Sequence, residues 1–137
     1  MQLNVTDNVT HQDLDEVRHG LNAFNSRFIN IDELQAIGVF IKDESGRKLA
    51  GLTGSTSGNW LRIDMLWVSD ELRGQGAGSK LMLAAEAEAR QRGCIYAQVD
   101  TASFQARPFY EKLGYQLRFS LDNYPREHQR HYLSKAL

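Results

Sequence analysis

Cysteine, proline and long apolar runs are all scarce in this chain. Cys94 is the only cysteine among 137 residues, so no internal disulfide and no cysteine-built zinc cluster can form, and a reducing compartment suits it. Pro108 and Pro125 are the only prolines, and there is no Pro/Ser-rich linker, internal repeat or low-complexity tract. No apolar run approaches the roughly 20 residues needed to cross a bilayer, and Met1 to Thr10 is polar, without the apolar core of a secretory signal. The expectation is therefore a cytoplasmic protein with no membrane partner. Charge of one sign is missing too: 16 Lys and Arg stand against 17 Asp and Glu, a net charge of -1. Such a balance supplies no broad positive field, which argues against extended nucleic acid as a partner. It says nothing about one local anion site.

What is present is enough for one core. A chain of this length buries roughly two-thirds of its unfolded surface, and 42% hydrophobic residues is consistent with a single domain over 1–137. From Thr10 the residues Leu14, Val17, Leu21 and Phe24 recur at helical spacing as far as Asn25, with Thr10 and Asp13 forming a capping pair. Gln35–Lys42 and Lys48–Thr56 flank the polar turn Asp43–Gly46 and read as a hairpin. A third strand runs from Trp60 to Val68. Simple alternation there puts Arg62, Asp64, Leu66 and Val68 on one face and Leu61, Ile63, Met65 and Trp67 on the other. Ser79–Arg92 is the clearest helix, with Glu86 and Arg90 four apart and Gly93 as its stop. A strand at Ile95–Asp100, a short helix at Gln105–Leu113 and strands at Tyr115–Ser120 and Gln129–Leu133 complete a mixed α/β sheet.

The sharpest chemical signal is Arg73-Gly74-Gln75-Gly76-Ala77-Gly78, between a strand and a helix. Orphan N–H groups, a positive dipole end and unhindered backbone favour an anion there, and Arg73 adds a forked donor. A tight turn needing positive φ is the plainer alternative. The dinucleotide fingerprint G-x-G-x-x-G fails, because Gly74, Gly76 and Gly78 are spaced G-x-G-x-G and residue 79 is Ser. The nucleoside-triphosphate loop fails as well, because Lys80 does not directly follow Gly78 and residue 81 is Leu. Phosphoryl transfer is disfavoured accordingly.

The remaining pattern, R-x-x-G-x-G at Arg73, Gly76 and Gly78 after a strand ending Leu66-Trp67-Val68, resembles the acyl-CoA pyrophosphate loop of the GNAT N-acetyltransferase superfamily. Downstream, Ala106 and Phe109-Tyr110-Glu111-Lys112-Leu113-Gly114-Tyr115 are similar to that family's A-x-x-x-Y-x-K-x-G-F/Y element. The resemblance implies a mostly antiparallel mixed sheet flanked by helices, with the strand carrying Leu66 to Val68 splayed from the strand at Ile95–Asp100 to form an acyl-CoA cleft. Acetyl-CoA would be the cosubstrate, with no metal. Leu66, Trp67 and Val68 would border the pantetheine arm, and the N–H groups of Gly74, Gln75, Gly76, Ala77, Gly78 and Ser79, with Arg73, would hold the pyrophosphate. Val68 N–H would meet the developing oxyanion and Tyr110 would protonate the leaving thiolate. A half-buried aromatic beside Phe109 is the alternative for Tyr110. Asp64 is a candidate base for the acceptor amine, or an ion-pair partner of Arg62.

Ser103 stands where many family members have an Asn that touches the CoA arm; its hydroxyl either makes a shorter contact or caps the short helix. Cys94 reads as a small buried residue and not as an acyl carrier. The resemblance thus implies acetyl transfer to a primary amine of a small molecule, peptide or protein. A noncatalytic acyl-CoA-binding or sensory module on the same fold is the alternative. Acceptor selection falls to the chain's own loops or to a second subunit, which leaves a homodimer open.

Overall fold

Six strands in the order β1-β2-β3-β4-β6-β5 form one sheet in the computed structural model, which describes every residue from Met1 to Leu137. Two units divide the chain, Met1–Glu33 and Leu34–Leu137. The first contains helix α1, His11–Asn25, and a 3-10 turn at Ile31–Glu33. Thr10 caps α1 by accepting from the Asp13 N–H at 3.1 Å, while the Asp13 carboxylate accepts from the Thr10 N–H at 3.0 Å. Two of the helix's free donors are satisfied reciprocally in this way.

The second unit contains the sheet. Strands β1 (Gln35–Lys42), β2 (Lys48–Ser57) and β3 (Trp60–Val68) form an antiparallel meander, and β4 (Tyr96–Ala102) joins β3 in parallel. Strand β6 (Arg130–Ala136) pairs antiparallel with β4, and β5 (Gln116–Leu121) with β6. The single parallel pair requires a crossover. Helix α2, Ala77–Gln91, supplies it and buries Ala77, Leu81, Met82, Ala85, Glu86 and Ala89 along one stripe. That stripe packs with Leu52, Leu61, Ile63, Ala97, Val99 and Leu133 into the core. Cys94 is part of this core, and burial pushes its thiol above the usual range, which disfavours the thiolate.

The alternation expected for β3 does not hold. Met65 lies opposite Thr53 but Ile63 lies opposite Gly54, so Asp64 is an extra residue in β3. A bulge of this kind resets the phase of the strand. Leu61 and Ile63 enter the core before it, and Leu66 and Val68, not Met65 and Trp67, pack against the same core after it. Asp64 therefore does not share a face with Leu66 and Val68 by simple alternation. Gly54 makes this possible: a Cβ built there would run into the Arg62 carbonyl.

Smaller differences concern where elements begin and end. Helix α2 starts two residues before Ser79, because Gly76 at φ 76° serves as its N-cap, and it ends at Gln91 with Arg92 as C-cap. The short helix α3 is Arg107–Lys112, not Gln105–Leu113, with Ala106 as N-cap and Pro108 in its first turn. Gln105 is held outside it, its side-chain Oε1 accepting from Ala102 N–H at 2.8 Å. Strand β4 runs on to Ala102 and β6 to Ala136, where pairing with each other continues.

Candidate active site

The site begins where β3 and β4 part. Their parallel pairing covers Trp60–Ile63 against Tyr96–Val99 and then stops. Beyond Ile63 the strand β3 continues to pair with β2 alone. The phase of that pairing decides which backbone groups are left over. Ser69 N–H donates to the Leu49 carbonyl at 2.9 Å, one step outside the Val68–Ala50 pair. In an antiparallel ladder this makes Val68 and, two residues back, Leu66 members of non-hydrogen-bonded pairs. Their N–H and C=O groups point away from β2, into the gap that β4 has left.

That gap opens into a cleft of about 830 Å³. One wall is Ile63 to Val68, the opposite wall is Val99, Asp100 and Thr101, and the end is closed by the start of α2 and by Phe109 and Tyr110 of α3. All of these belong to the second unit.

At the α2 end, Gly74 and Gly76 both hold positive φ, 78° and 76°, which a residue with a side chain rarely adopts. A Cβ on either would meet nothing within 4 Å, so this backbone borders open space. The first helical bond of α2 runs from Lys80 N–H to the Gly76 carbonyl at 3.1 Å. Ala77, Gly78 and Ser79 consequently have N–H groups without intrahelical acceptors, at the positive end of a 15-residue helix. Gly78 serves packing as well: a Cβ there would stand 3.2 Å from Phe109 Cζ. Arg73 lies on the rim, its Nη1 2.9 Å from Asp70 Oδ1. Both partners are largely exposed, so the pair is weak and the guanidinium is available to an anion.

Tyr110 is buried to 7% exposure, yet its ring borders the cleft and its hydroxyl makes no hydrogen bond within the chain. Phe109 at 5.1 Å and Tyr115 at 6.1 Å hold it in edge-on contact. Tyr115 is itself fixed by donating to Glu86 Oε2 at 2.8 Å, while Lys135 Nζ donates to Oε1 of the same carboxylate at 2.8 Å. Burial, and secondarily the Asp100 charge, push the Tyr110 phenol above its usual value. Both favour the neutral phenol.

Of the residues named from sequence, Asp64, Leu66, Trp67, Val68, Arg73, Gly74, Gly76, Ala77, Gly78, Ser79 and Tyr110 all border the cleft. Two are engaged elsewhere. The Gln75 side chain donates to the Glu71 carbonyl at 3.1 Å, and Ser103 Oγ accepts from Gln129 N–H at 3.0 Å, tying two loops together. Asp64 is paired with Arg62 at 3.3 Å, both half exposed.

Sequence reasoning missed Asp100 and Arg130, which border the same cleft and form an ion pair through Arg130 Nε and Asp100 Oδ2. They lie thirty residues apart with nothing local to link them. No sequence signal marks them: the β4–β6 register, with Asp100 opposite Tyr132 and Ala102 opposite Arg130, brings them together.

Known proteins share this architecture. A family model described as the acetyltransferase (GNAT) family matches residues 9–115. A blasticidin-S acetyltransferase of Streptomyces morookaense is 42% identical over 105 residues, 76% of this chain and 77% of its own. A crystal structure from Agrobacterium tumefaciens, assigned as an acetyltransferase, superposes over the whole of both chains with a TM-score of 0.91 and 30% identity. A Bacillus anthracis structure, assigned as a streptothricin acetyltransferase and solved with acetyl coenzyme A, is 16% identical over 74% of this chain and 62% of its own. Its TM-score of 0.66 marks a likeness of fold.

Proposed function

Because the chain belongs to the GNAT acetyltransferase family and is an acetyltransferase, we propose that it moves an acetyl group from acetyl-CoA to a primary amine, and that the amine is carried by an antibiotic of the blasticidin S kind. The observation that carries the first part is the gap beyond Ile63, where the Leu66 and Val68 backbone groups, the free N–H groups of α2 and the Tyr110 hydroxyl meet in one cleft. The 42% identity to the blasticidin-S acetyltransferase, over three-quarters of both chains, supports the second.

Acetyl-CoA fits these residues. Leu66 offers outward N–H and C=O groups, and Val68 an outward C=O, that extend β3 pairing to a pantetheine arm, replacing the departed β4. The N–H groups of Ala77, Gly78 and Ser79 and the open backbone at Gly74 and Gly76 receive the pyrophosphate, with Arg73 swinging from Asp70 to assist. Diphosphate charge is met by dipoles and one cation, which is how a chain of net charge -1 accommodates it.

Chemically, the amine nitrogen bonds to the thioester carbonyl carbon and the C–S bond breaks. Val68 N–H donates to the oxygen that becomes negative; loss of such a donor typically costs about 3–4 kcal/mol of barrier. Tyr110 gives its proton to the departing sulfur. A thiol leaves with a pKa near 8.5, so a phenol held above its ordinary value near 10 stays protonated until it is needed. Asp64, at the rim of the same gap, takes the proton lost by the nitrogen through water. Ser103 fixes the loop before α3, its hydroxyl oxygen accepting from Gln129 N–H.

Purified protein, acetyl-CoA and a panel containing blasticidin S, other amine-bearing antibiotics, polyamines and peptides test the acceptor class through release of the CoA thiol. Turnover confined to antibiotics of the blasticidin S kind supports it. Turnover of peptides alone assigns the chain a different acceptor.

A further inference from the structure

Two carboxylates flank the point where the strands part, and they are not equivalent. Asp64 sits in the β3 bulge, 49% exposed, with Arg62 held only 3.3 Å away. Asp100 is 25% exposed and is fixed by Arg130, itself 31% exposed. Only Oδ2 of Asp100 is used in that pair; Oδ1 has no hydrogen-bond partner in the chain. Arg130 is braced in turn, its guanidinium carbon lying 5.4 Å over the Tyr124 ring. A braced guanidinium that occupies one oxygen presents the other in a set direction.

The direction follows from the strand. Ala97, Val99 and Thr101 are buried, and Ala97 and Val99 belong to the core that packs on α2. Asp100 alternates with them and so projects from the other face of the sheet. It reaches the cleft from the side opposite α2, while the pyrophosphate groups gather at the α2 N-terminus. Asp100 lines the same cleft as Tyr110, and its charge adds to burial in raising that phenol's pKa.

We propose that Asp100, oriented by Arg130, binds the ammonium of the acceptor and makes the cleft selective for cationic amines. The inference rests on the acetyltransferase reading above and deepens it. Asp100 is thus a specificity-determining residue and Arg130 a positioning residue, the latter acting only through the carboxylate it holds. A charge-assisted hydrogen bond at this degree of burial contributes about tenfold or more in affinity.

The probe is benzylammonium, compared with benzyl alcohol as its uncharged counterpart, bound to the CoA-saturated protein and followed by ligand-observed NMR. Wild type is expected to bind the cation at least about tenfold more tightly than the alcohol. Asp100→Asn is expected to abolish that preference while leaving benzyl alcohol binding and CoA affinity unchanged, and Asp100→Glu to restore part of it. Arg130→Met is expected to weaken cation binding, with Arg130→Lys intermediate. Equal binding of cation and alcohol by wild type overturns the proposal without any variant having to fold, as does a preference that survives in Asp100→Asn or is lost equally in Asp64→Asn. Thiol release by wild type is scored separately: its absence alongside intact cation preference counts against the acetyltransfer chemistry and not against Asp100.

Discussion

Replacing Gly54 by alanine puts a methyl group where the Arg62 carbonyl lies, in the one stretch of β2 that faces the bulge. Neither group is a flexible side-chain tip, so backbone has to move. Overpacking of this kind costs typically about 1–3 kcal/mol. At about 2.1 cal/mol/K per residue, the unfolding entropy of 137 residues is about 0.3 kcal/mol/K, which converts that cost to a fall in Tm of roughly 3–10 °C. The functional consequence is separate from stability. The least disruptive relief is to iron out the bulge, and the segment beyond Asp64 then shifts by one residue. Leu66 and Val68 would exchange their outward backbone groups for those of Met65 and Trp67. Acetyl-CoA affinity should therefore fall at least about tenfold in the folded variant, the equivalent of about 1.4 kcal/mol. Differential scanning calorimetry and isothermal titration at a temperature well below the transition measure the two effects. A Gly54→Ala protein with native Tm and native acetyl-CoA affinity would refute the argument that the bulge depends on this glycine and the cleft on the bulge.

Tyr110→Phe should leave acetyl-CoA affinity nearly unchanged and lower kcat at least about tenfold, the order of general-acid effects; steady-state thiol release checks it. In the wild type any alkaline loss of kcat due to this phenol should lie above pH 10, because its pKa is raised and the active form is the protonated one. A limb below pH 9 that vanishes in Tyr110→Phe would contradict the raised value. Gly76→Asp should abolish CoA binding by calorimetry while the fold, followed by circular dichroism, survives in weakened form: it adds a carboxylate beside the pyrophosphate and strains a residue at φ 76°. Glu86→Ala should cost about 3–5 kcal/mol in urea unfolding, since it strands the Tyr115 hydroxyl in the core and leaves the largely buried Lys135 ammonium without its carboxylate. The raised Tyr115 phenol gives stability that is intact below pH 10 and lost as pH rises further, so alkaline unfolding should be steeper in wild type than in Tyr115→Phe.

Local signals explain what could be read before the fold was known. The bounds of β1 and β3 follow from runs of β-branched and aromatic residues ended by polar turns, and Thr10 with Asp13 is a capping pair by spacing alone. The glycine cluster was legible because strand, loop and helix are contiguous there. The bulge was not. One extra residue in β3 leaves no mark in β3 itself; its only trace is a glycine ten residues away in β2, indistinguishable by composition from Gly51 or Gly38. Missing it inverted the faces of the strand from Asp64 onward. The Asp100–Arg130 pair was hidden for another reason: it is created by β4–β6 pairing across thirty residues and not by any local pattern. Ser103 illustrates the reverse case, a position picked out by a motif whose hydroxyl also accepts from Gln129 N–H, a long-range contact that no local pattern reveals.

On the proposed reading, the gap beside Leu66 and Val68 is where an acetyl group passes from acetyl-CoA to an amine nitrogen. Its most direct test is the stoichiometry of the reaction, with CoA thiol and acetylated acceptor quantified by mass spectrometry in the same sample of purified protein. One N-acetyl product is expected for each thiol released, with both falling together in Tyr110→Phe. Acetyl-CoA that binds in the cleft and is recovered intact in the presence of every amine offered, or thiol released without any acetylated amine, would contradict it.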